Sequence, residues 1–140
     1  MGESQGWNPI GKVLVLQKKA IRRVCNATYN AHTEPLFKET LILKLPDSID
    51  LEVNKFVYCY CHDLLPAPLM SIFTNSEHHG HRTRKSRDPK TVKYNYDSLK
   101  KGFIHEGPSQ WSKLNQEIKN APSLKSFTSK YKKKVIDSYQ

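Results

Sequence analysis

The sequence has little of what marks an enzyme, a secreted protein or a membrane protein. Its six glycines are scattered and form no phosphate-binding loop. No apolar run approaches the roughly 20 residues that a membrane-spanning helix needs. The three cysteines are an odd number, and no secretory signal precedes them. We therefore expect a non-catalytic, intracellular protein with reduced cysteines, no cofactor, no small-molecule ligand and no membrane partner.

Acidic residues are also scarce, with 13 against 23 lysines and arginines, so the formal net charge is +10. The acidic excess is confined to residues 33–66, which hold six acidic and three basic side chains. A basic surplus attracts polyanions, because counterions released from phosphates supply free energy. The composition favours the backbone of RNA or DNA as the partner. An anionic membrane surface and a merely solubilising charge are the alternatives.

Apolar periodicity predicts a mainly α-helical fold of about five or six short helices. Residues 1–10 form a flexible N-terminus and residues 11–73 a helical subdomain in this interpretation. A flexible basic loop over 74–92 leads to residues 93–140, with a small β-hairpin near 91–104 followed by two C-terminal helices. Only 37% of the residues are hydrophobic. Such a chain either folds alone or needs a neighbour to cover its apolar faces, and the sequence leaves both open.

The first helix is predicted from Val13 to Ala27, with apolar residues recurring at helical spacing. We expect these residues to form its buried stripe: Val13, Leu16, Ala20, Val24 and Ala27.

Capping and breaking residues set the other helix boundaries. Thr33 is the predicted N-cap of the second helix, Leu45-Pro46 separates it from the third, and Gly107-Pro108 opens the fourth, which runs through Ile118. Ser123 caps the last helix. The large apolar residues expected in the core, and not at a binding site, are Leu36, Phe37, Phe56, Trp111 and Phe127.

Two basic clusters are the candidate nucleic-acid-binding sites. The loop contributes Arg82, Arg84, Lys85 and Arg87, and the first helix contributes Lys18, Lys19, Arg22 and Arg23. Guanidinium groups make planar bidentate contacts with phosphate, and Tyr94 and Tyr96 beside the loop are able to stack on unpaired bases. The alternative is a solvated loop without a ligand.

A third basic run lies near the C-terminus, at Lys130 and Lys132 to Lys134. Such a run is typical of nuclear-import signals, and nuclear entry is one interpretation. A solvated helix face explains it almost equally well.

Metal binding is disfavoured despite several potential ligands. Cys59, Cys61 and His62 offer zinc donors, as do the histidines of the loop. On a helix, however, Cys59 and Cys61 point about 200° apart and cannot share one ion. We expect Cys61 to pack against the core and Cys59 to be half-exposed.

Six phrases follow one another along residues 12–138. They are LQKKAIRRV at 16–24, AHTEPLFKETLILKLPD at 31–47, the residues Phe56, Tyr58 and Leu64-Leu65-Pro66, HGHRTR at 79–84, GPSQW at 107–111 and SLKSFTSKYK at 123–132. In this order they resemble the region after the catalytic core in reverse transcriptases of LINE-like, jockey-type non-LTR retrotransposons. His81 replaces a Tyr of that pattern, and Ser112 and Asn115 replace its Asn and Pro after Trp111.

The resemblance implies supporting helices that help hold template RNA and target DNA. The polymerase's Y-x-D-D motif does not occur in this sequence, so the resemblance implies part of an RNA-directed DNA polymerase, not its activity. We therefore expect a non-catalytic C-terminal fragment of a transposable-element reverse transcriptase, whose partners are RNA or DNA and the rest of that enzyme. The alternative is a protein-interaction remnant that docks on the polymerase core and has no nucleic-acid affinity of its own.

Overall fold

The computed structural model describes residues 8–70, 72–73, 89 and 102–140. Across these residues the chain forms six α-helices and one short 3₁₀ helix. The α-helices are α1 Pro9–Val24, α2 Thr33–Thr40, α3 Leu45–Cys61, α4 Phe103–Ser112, α5 Gln116–Lys119 and α6 Leu124–Asp137, and the 3₁₀ helix is Ala67–Leu69.

The predicted mainly α-helical class is confirmed. The predicted hairpin near 91–104 lies outside the described residues except for its last three. Of these, Gly102 precedes α4, and Phe103 and Ile104 begin it. The predicted loop over 74–92 also lies outside them, apart from Pro89.

The chain divides into two compact units. The first comprises residues 1–49 and 132–140, and the second comprises residues 50–131. Helices α3 and α6 each contain residues of both units.

The first unit is built around Phe37 of α2, which is completely buried. The edge of the Tyr139 ring meets the Phe37 ring at a centroid distance of 6.5 Å. The Tyr139 hydroxyl donates to Asp47 Oδ2 at 2.5 Å and accepts from the Lys44 amide at 3.0 Å. Burial and the hydrogen bond to Asp47 raise the pKa of Tyr139. Tyr139 thus ties residues 44–47 and α2 to the end of the chain.

Helix α1 is attached to the first unit by Ile21, its one buried residue, and by the amide of Gln17. Gln17 Nε2 donates to the Leu43 carbonyl at 2.9 Å, while its Oε1 accepts from the Leu45 amide at 2.8 Å. These paired bonds satisfy backbone groups that would otherwise need water.

The second unit has an aromatic core. Phe127, Tyr58 and Trp111 are almost fully buried, and the Phe127 ring lies 4.8 Å from Tyr58 and 5.9 Å from Trp111. The Tyr58 hydroxyl donates to the Ala121 carbonyl at 2.7 Å. The large apolar area of these rings supplies the main stabilisation of the unit.

A buried asparagine links helices within the second unit. The Asn54 side-chain amide donates to the Asp50 carbonyl at 2.8 Å and to Gln110 Oε1 at 3.0 Å. It also lies 3.4 Å from the Tyr131 hydroxyl. Gln110 Nε2 in turn donates to Asp50 Oδ1 at 2.8 Å. The residue is 1% exposed, so its Nδ2 depends on these partners, whereas its Oδ1 is buried without a hydrogen-bond partner among the described residues.

Just after three of the helices, a residue other than glycine adopts the left-handed backbone conformation. Asn26, Leu41 and Asp63 have φ angles of 53°, 56° and 56°. Asparagine and aspartate tolerate this conformation, whereas Leu41 places a bulky side chain in it. Each is followed by an amide that bonds back five residues, as in the Schellman motif.

Several predicted helix boundaries were wrong. Helix α1 runs from Pro9 to Val24 and not from Val13 to Ala27. Leu45-Pro46 was predicted to separate α2 from α3, but these two residues begin α3. Proline is tolerated there because the N–H groups of a helix's first turn lack partners within the helix. Helix α4 begins at Phe103 with Pro108 inside it and ends at Ser112, so it neither opens at Gly107 nor reaches Ile118. The N-cap of α2 is His32, and Thr33 is its first, buried residue.

Most predicted core residues are buried. Phe37, Trp111 and Phe127 are buried, whereas Leu36 and Phe56 are half-buried. Ser123 caps α6 as predicted, since its hydroxyl accepts from the Ser126 amide at 3.2 Å.

Candidate nucleic-acid interface

The four predicted basic residues of α1 divide between two clefts in the first unit. Lys19 and Arg23 are exposed, while Lys18 and Arg22 are half-buried, because successive helical residues point about 100° apart. Lys19, Arg22 and Arg23 line a cleft of about 250 Å³. Lys18 and Arg22 line a second cleft of about 580 Å³. Arg22 therefore belongs to both.

The first cleft, called here the α1 cleft, is closed by the turn that follows α1. Its lining consists of Lys19, Arg22, Arg23, Ala27 and Tyr29. Asn26 adopts the left-handed conformation, and the Ala27 amide then donates to the Arg22 carbonyl at 2.8 Å. This motif turns the chain back, so that residues 27–29 meet the last basic turn of the helix.

Arg22 holds this turn in place. Its Nε donates to the Ala31 carbonyl at 2.9 Å, and the Ala31 amide donates to the Thr28 carbonyl at 3.0 Å. The carbonyl and the amide of one residue are both engaged, which fixes the turn on the helix. A guanidinium carries five N–H donors, so a bond to a carbonyl is compatible with further contacts to phosphate.

Tyr29 is the aromatic residue of the α1 cleft. It is 78% exposed, although aromatic rings usually bury most of their area. Tyr29 was not among the residues predicted from the sequence to bind nucleic acid. The signal for it was Asn26, a residue suited to a left-handed helix end, directly after the basic run.

The second cleft carries mixed charge. Besides Lys18 and Arg22 it is lined by Glu34. Lys44 Nζ lies 2.6 Å from the Glu34 carboxylate, and this hydrogen bond and charge lower the pKa of Glu34. Lys44 compensates part of the charge of Glu34, but the lining of the α1 cleft has no acidic residue among those described, so the α1 cleft is the better anion site.

The predicted buried stripe of α1 was wrong. Val13, Leu16 and Val24 are 49%, 61% and 74% exposed, and Ala20 is exposed between them. The helix instead turns Leu14, Gln17, Ile21 and Cys25 inward. Gln17 occupies this inner face because its amide bonds to backbone groups, and the second apolar row is left on the surface.

The remaining predicted residues of the loop, Arg82, Arg84, Lys85 and Arg87, lie outside the described residues. Tyr94 and Tyr96 do as well. Their contribution to binding stays a prediction from the sequence.

The cysteines have structural surroundings. Cys61 is buried and Cys59 half-buried, as predicted, and burial raises the pKa of the Cys59 thiol. The His62 ring stacks on Tyr58 at 4.1 Å, and its Nε2 lies 3.1 Å from the Lys119 carbonyl. Within residues 8–70, 72–73, 89 and 102–140, no three His, Cys, Asp or Glu side chains are grouped to hold a metal ion.

The acidic residues near the start of α3 have partners within their own units. Asp47 accepts from Tyr139, Asp50 accepts from Gln110, and Glu52 pairs with Lys55 at 2.9 Å. These bonds account for the three carboxylates without a catalytic role.

Comparison with known proteins gives no relative. No protein-family model matches the chain, and no curated protein or solved structure matches it either. None of the described helices is both long enough and apolar enough to cross a membrane.

Proposed function

We propose that this chain is a non-catalytic nucleic-acid-binding region that supports template RNA and target DNA in a reverse transcriptase of the non-LTR retrotransposon type. The observation that supports binding is the α1 cleft, where Lys19, Arg22 and Arg23 converge. The assignment to a reverse transcriptase rests on the six ordered phrases in the sequence.

The α1 cleft has the chemistry of a phosphate site. Three positive side chains line it, and its described lining contains no acidic residue. Lys19 and Arg23 are exposed, so a phosphate reaches them without any rearrangement of the core. Contacts of this kind bind nucleic acid irrespective of sequence and weaken with salt.

The loop arginines supply the second part of the proposed surface. Arg82, Arg84, Lys85 and Arg87 lie within six consecutive positions. Each basic cluster offers phosphate contacts of its own, so either is able to contribute to the affinity for nucleic acid.

Three variants that each lose two positive charges test which surface binds. They are Lys19→Ala/Arg23→Ala in α1, Arg82→Ala/Arg84→Ala in the loop, and Lys113→Ala/Lys125→Ala as the matched control. Lys113 and Lys125 are exposed and lie in the second unit. We expect the first two to weaken binding to a fluorescent single-stranded RNA roughly tenfold at low salt, and the control to change it little. Equal effects of all three would mean that net charge alone acts, and the proposed surface would be wrong.

A second function is favoured by the exposed stripe of α1, defined as Val13, Leu16, Ala20 and Val24. Three of these are large apolar side chains exposed by about half or more, and they lie on one helix face. Such a face suits the docking of the chain on the polymerase core, with its charge incidental.

The docking alternative has its own test. The purified chain would self-associate in analytical ultracentrifugation, Val13→Ser/Leu16→Ser would restore a monomer, and neither protein would bind nucleic acid. A monomeric wild type with salt-dependent RNA affinity would eliminate the alternative.

A further inference from the structure

We infer that the α1 cleft is a single-nucleotide site, in which Tyr29 stacks on one unpaired base while Lys19, Arg22 and Arg23 contact the neighbouring phosphates. This inference rests on the proposed function and narrows it. It assigns to the cleft a preference for single-stranded nucleic acid over a duplex.

The composition of the cleft is that of a single-strand site. Proteins that bind single strands combine a positive groove with aromatic side chains on which bases stack. Here the two features occur together, since Tyr29 and the three basic residues line the same cleft. The exposed ring of Tyr29 is accessible to a base, whereas the buried rings of the core are not.

The size of the cleft limits what it holds. At about 250 Å³ it is smaller than the roughly 300–1,000 Å³ of pockets that enclose drug-sized ligands. It therefore has room for one base beside Tyr29, while the neighbouring phosphates contact the basic side chains at its rim and the rest of the strand lies outside. A site of this size distinguishes unpaired from paired bases but does not recognise a base sequence.

The turn that carries Tyr29 is fixed on α1 by two hydrogen bonds, as base stacking on a rigid ring requires. Arg22 bonds to the Ala31 carbonyl at 2.9 Å, and the Ala27 amide bonds back to the helix at 2.8 Å. Tyr29 lies between these two attachment points, so its backbone loses little additional freedom when a base binds. Such preorganisation increases affinity by lowering the ordering cost.

A duplex is able to contact the basic residues of this site but not to stack a base on Tyr29. Its bases are paired and stacked on each other, and a base must first leave the stack to reach a protein ring. The phosphates of a duplex still contact Lys19 and Arg23. Loss of the tyrosine ring should therefore affect single strands and leave duplex binding unchanged.

The location of Arg22 and Arg23 in the last turn of α1 has a purely structural explanation as well. Cations at a helix C-terminus are favourable because of the helix dipole. That explanation gives Tyr29 no role in binding, which makes Tyr29 the decisive position.

The experiment compares Tyr29→Ala and Tyr29→Phe with the full-length wild type. The probes are a fluorescent single-stranded RNA, the same strand in a duplex, and an abasic oligonucleotide of equal length, all at one low salt concentration. Ile42→Ala, which also truncates an exposed apolar residue of the first unit, is the control.

We expect Tyr29→Ala to lose about tenfold in affinity for the single strand, with the duplex and the abasic strand unaffected. Tyr29→Phe, which keeps the ring, should bind like the wild type, as should Ile42→Ala. If Tyr29→Ala binds the single strand as the wild type does, base stacking is wrong. The proposed function would still stand if Lys19→Ala/Arg23→Ala weakened all three probes. Should that double variant bind like its charge-matched control, the α1 cleft would be no nucleic-acid site.

Discussion

Arg22 Nε donates a hydrogen bond to the Ala31 carbonyl at 2.9 Å and thereby fixes the turn that carries Tyr29. One side chain thus has two tasks, since it also lines the α1 cleft. The proposed nucleic-acid surface and the local fold of the first unit therefore depend on the same guanidinium.

Replacing Arg22 by Gln should loosen this turn. The loss of a charge-assisted hydrogen bond of about 1.5–3 kcal/mol is expected to speed amide exchange at Ala27 and Ala31 in NMR hydrogen-exchange measurements. Arg23→Gln removes the same charge from an exposed neighbour and should leave both exchange rates unchanged. Equal rates in wild type and Arg22→Gln would show that the bond does not hold the turn.

Leu41→Gly should stabilise the first unit by about 1 kcal/mol. Leu41 has φ 56°, and a left-handed residue with a Cβ costs about 1–2 kcal/mol, part of which glycine recovers. Its side chain is 65% exposed, so little burial is lost. Leu41→Ala is the control in chemical denaturation, because it removes the side chain but keeps the strained Cβ. If Leu41→Ala raised the free energy of unfolding as much as Leu41→Gly, backbone strain at position 41 would not be the cause.

Asn54→Ala should destabilise the second unit by about 2 kcal/mol. The change removes the donor shared by the Asp50 carbonyl and Gln110 Oε1 and leaves these half-buried groups to find other partners. Asn120→Ala, at an exposed position of the same unit, should cost much less. Thermal unfolding is followed by the fluorescence of buried Trp111 in a Trp7→Phe background, because Trp7, the other tryptophan of the chain, lies outside the residues of the second unit. Similar losses in both variants would contradict the role of Asn54.

Tyr139 should make the first unit sensitive to alkali. Its pKa is raised in the folded protein by burial and by the bond to Asp47, so folding favours the neutral phenol. The contribution of Tyr139 is complete below the ordinary tyrosine pKa of about 10 and declines as the pH rises above it. The pKa of Tyr58, in the second unit, is also raised by burial, so the comparison must isolate Tyr139.

Tyr139→Phe provides that comparison. It keeps the ring against Phe37 and should lower stability by about 1 kcal/mol at neutral pH, with a smaller further loss above pH 10 than the wild type shows. Denaturant titrations at pH 7 and pH 10.5 measure the loss of stability at neutral pH and the further loss in alkali. An identical decline in the two proteins would mean that Tyr139 does not carry the alkaline sensitivity.

Much of the helical fold could be predicted because apolar spacing and capping residues act locally. Ser123 capped the helix predicted for it, and Phe37, Trp111 and Phe127 are in the core as expected. The errors arose where tertiary contacts decide. Gln17 faces inward because its amide bonds to the Leu43 and Leu45 backbone, and no periodicity of apolar residues reveals such a contact.

The candidate site was predictable only in part. The basic residues of α1 are evident from the sequence, but their division between two clefts follows from which side of the helix packs inward. Tyr29 joins Arg23 only because Asn26 adopts a left-handed conformation and reverses the chain. That reversal depends on one backbone angle, for which the sequence offers a preference and not a rule.

The salt dependence of RNA affinity shows whether Lys19 and Arg23 contact phosphates. The affinity for single-stranded RNA would be measured by fluorescence anisotropy over a series of salt concentrations, for the wild type and for Lys19→Ala/Arg23→Ala. Each phosphate contact contributes about 0.7 to the slope of log affinity against log salt for single strands, so the variant's slope should be shallower by about 1.4. Equal slopes, or a wild-type affinity that does not change with salt, would contradict phosphate binding by the α1 cleft.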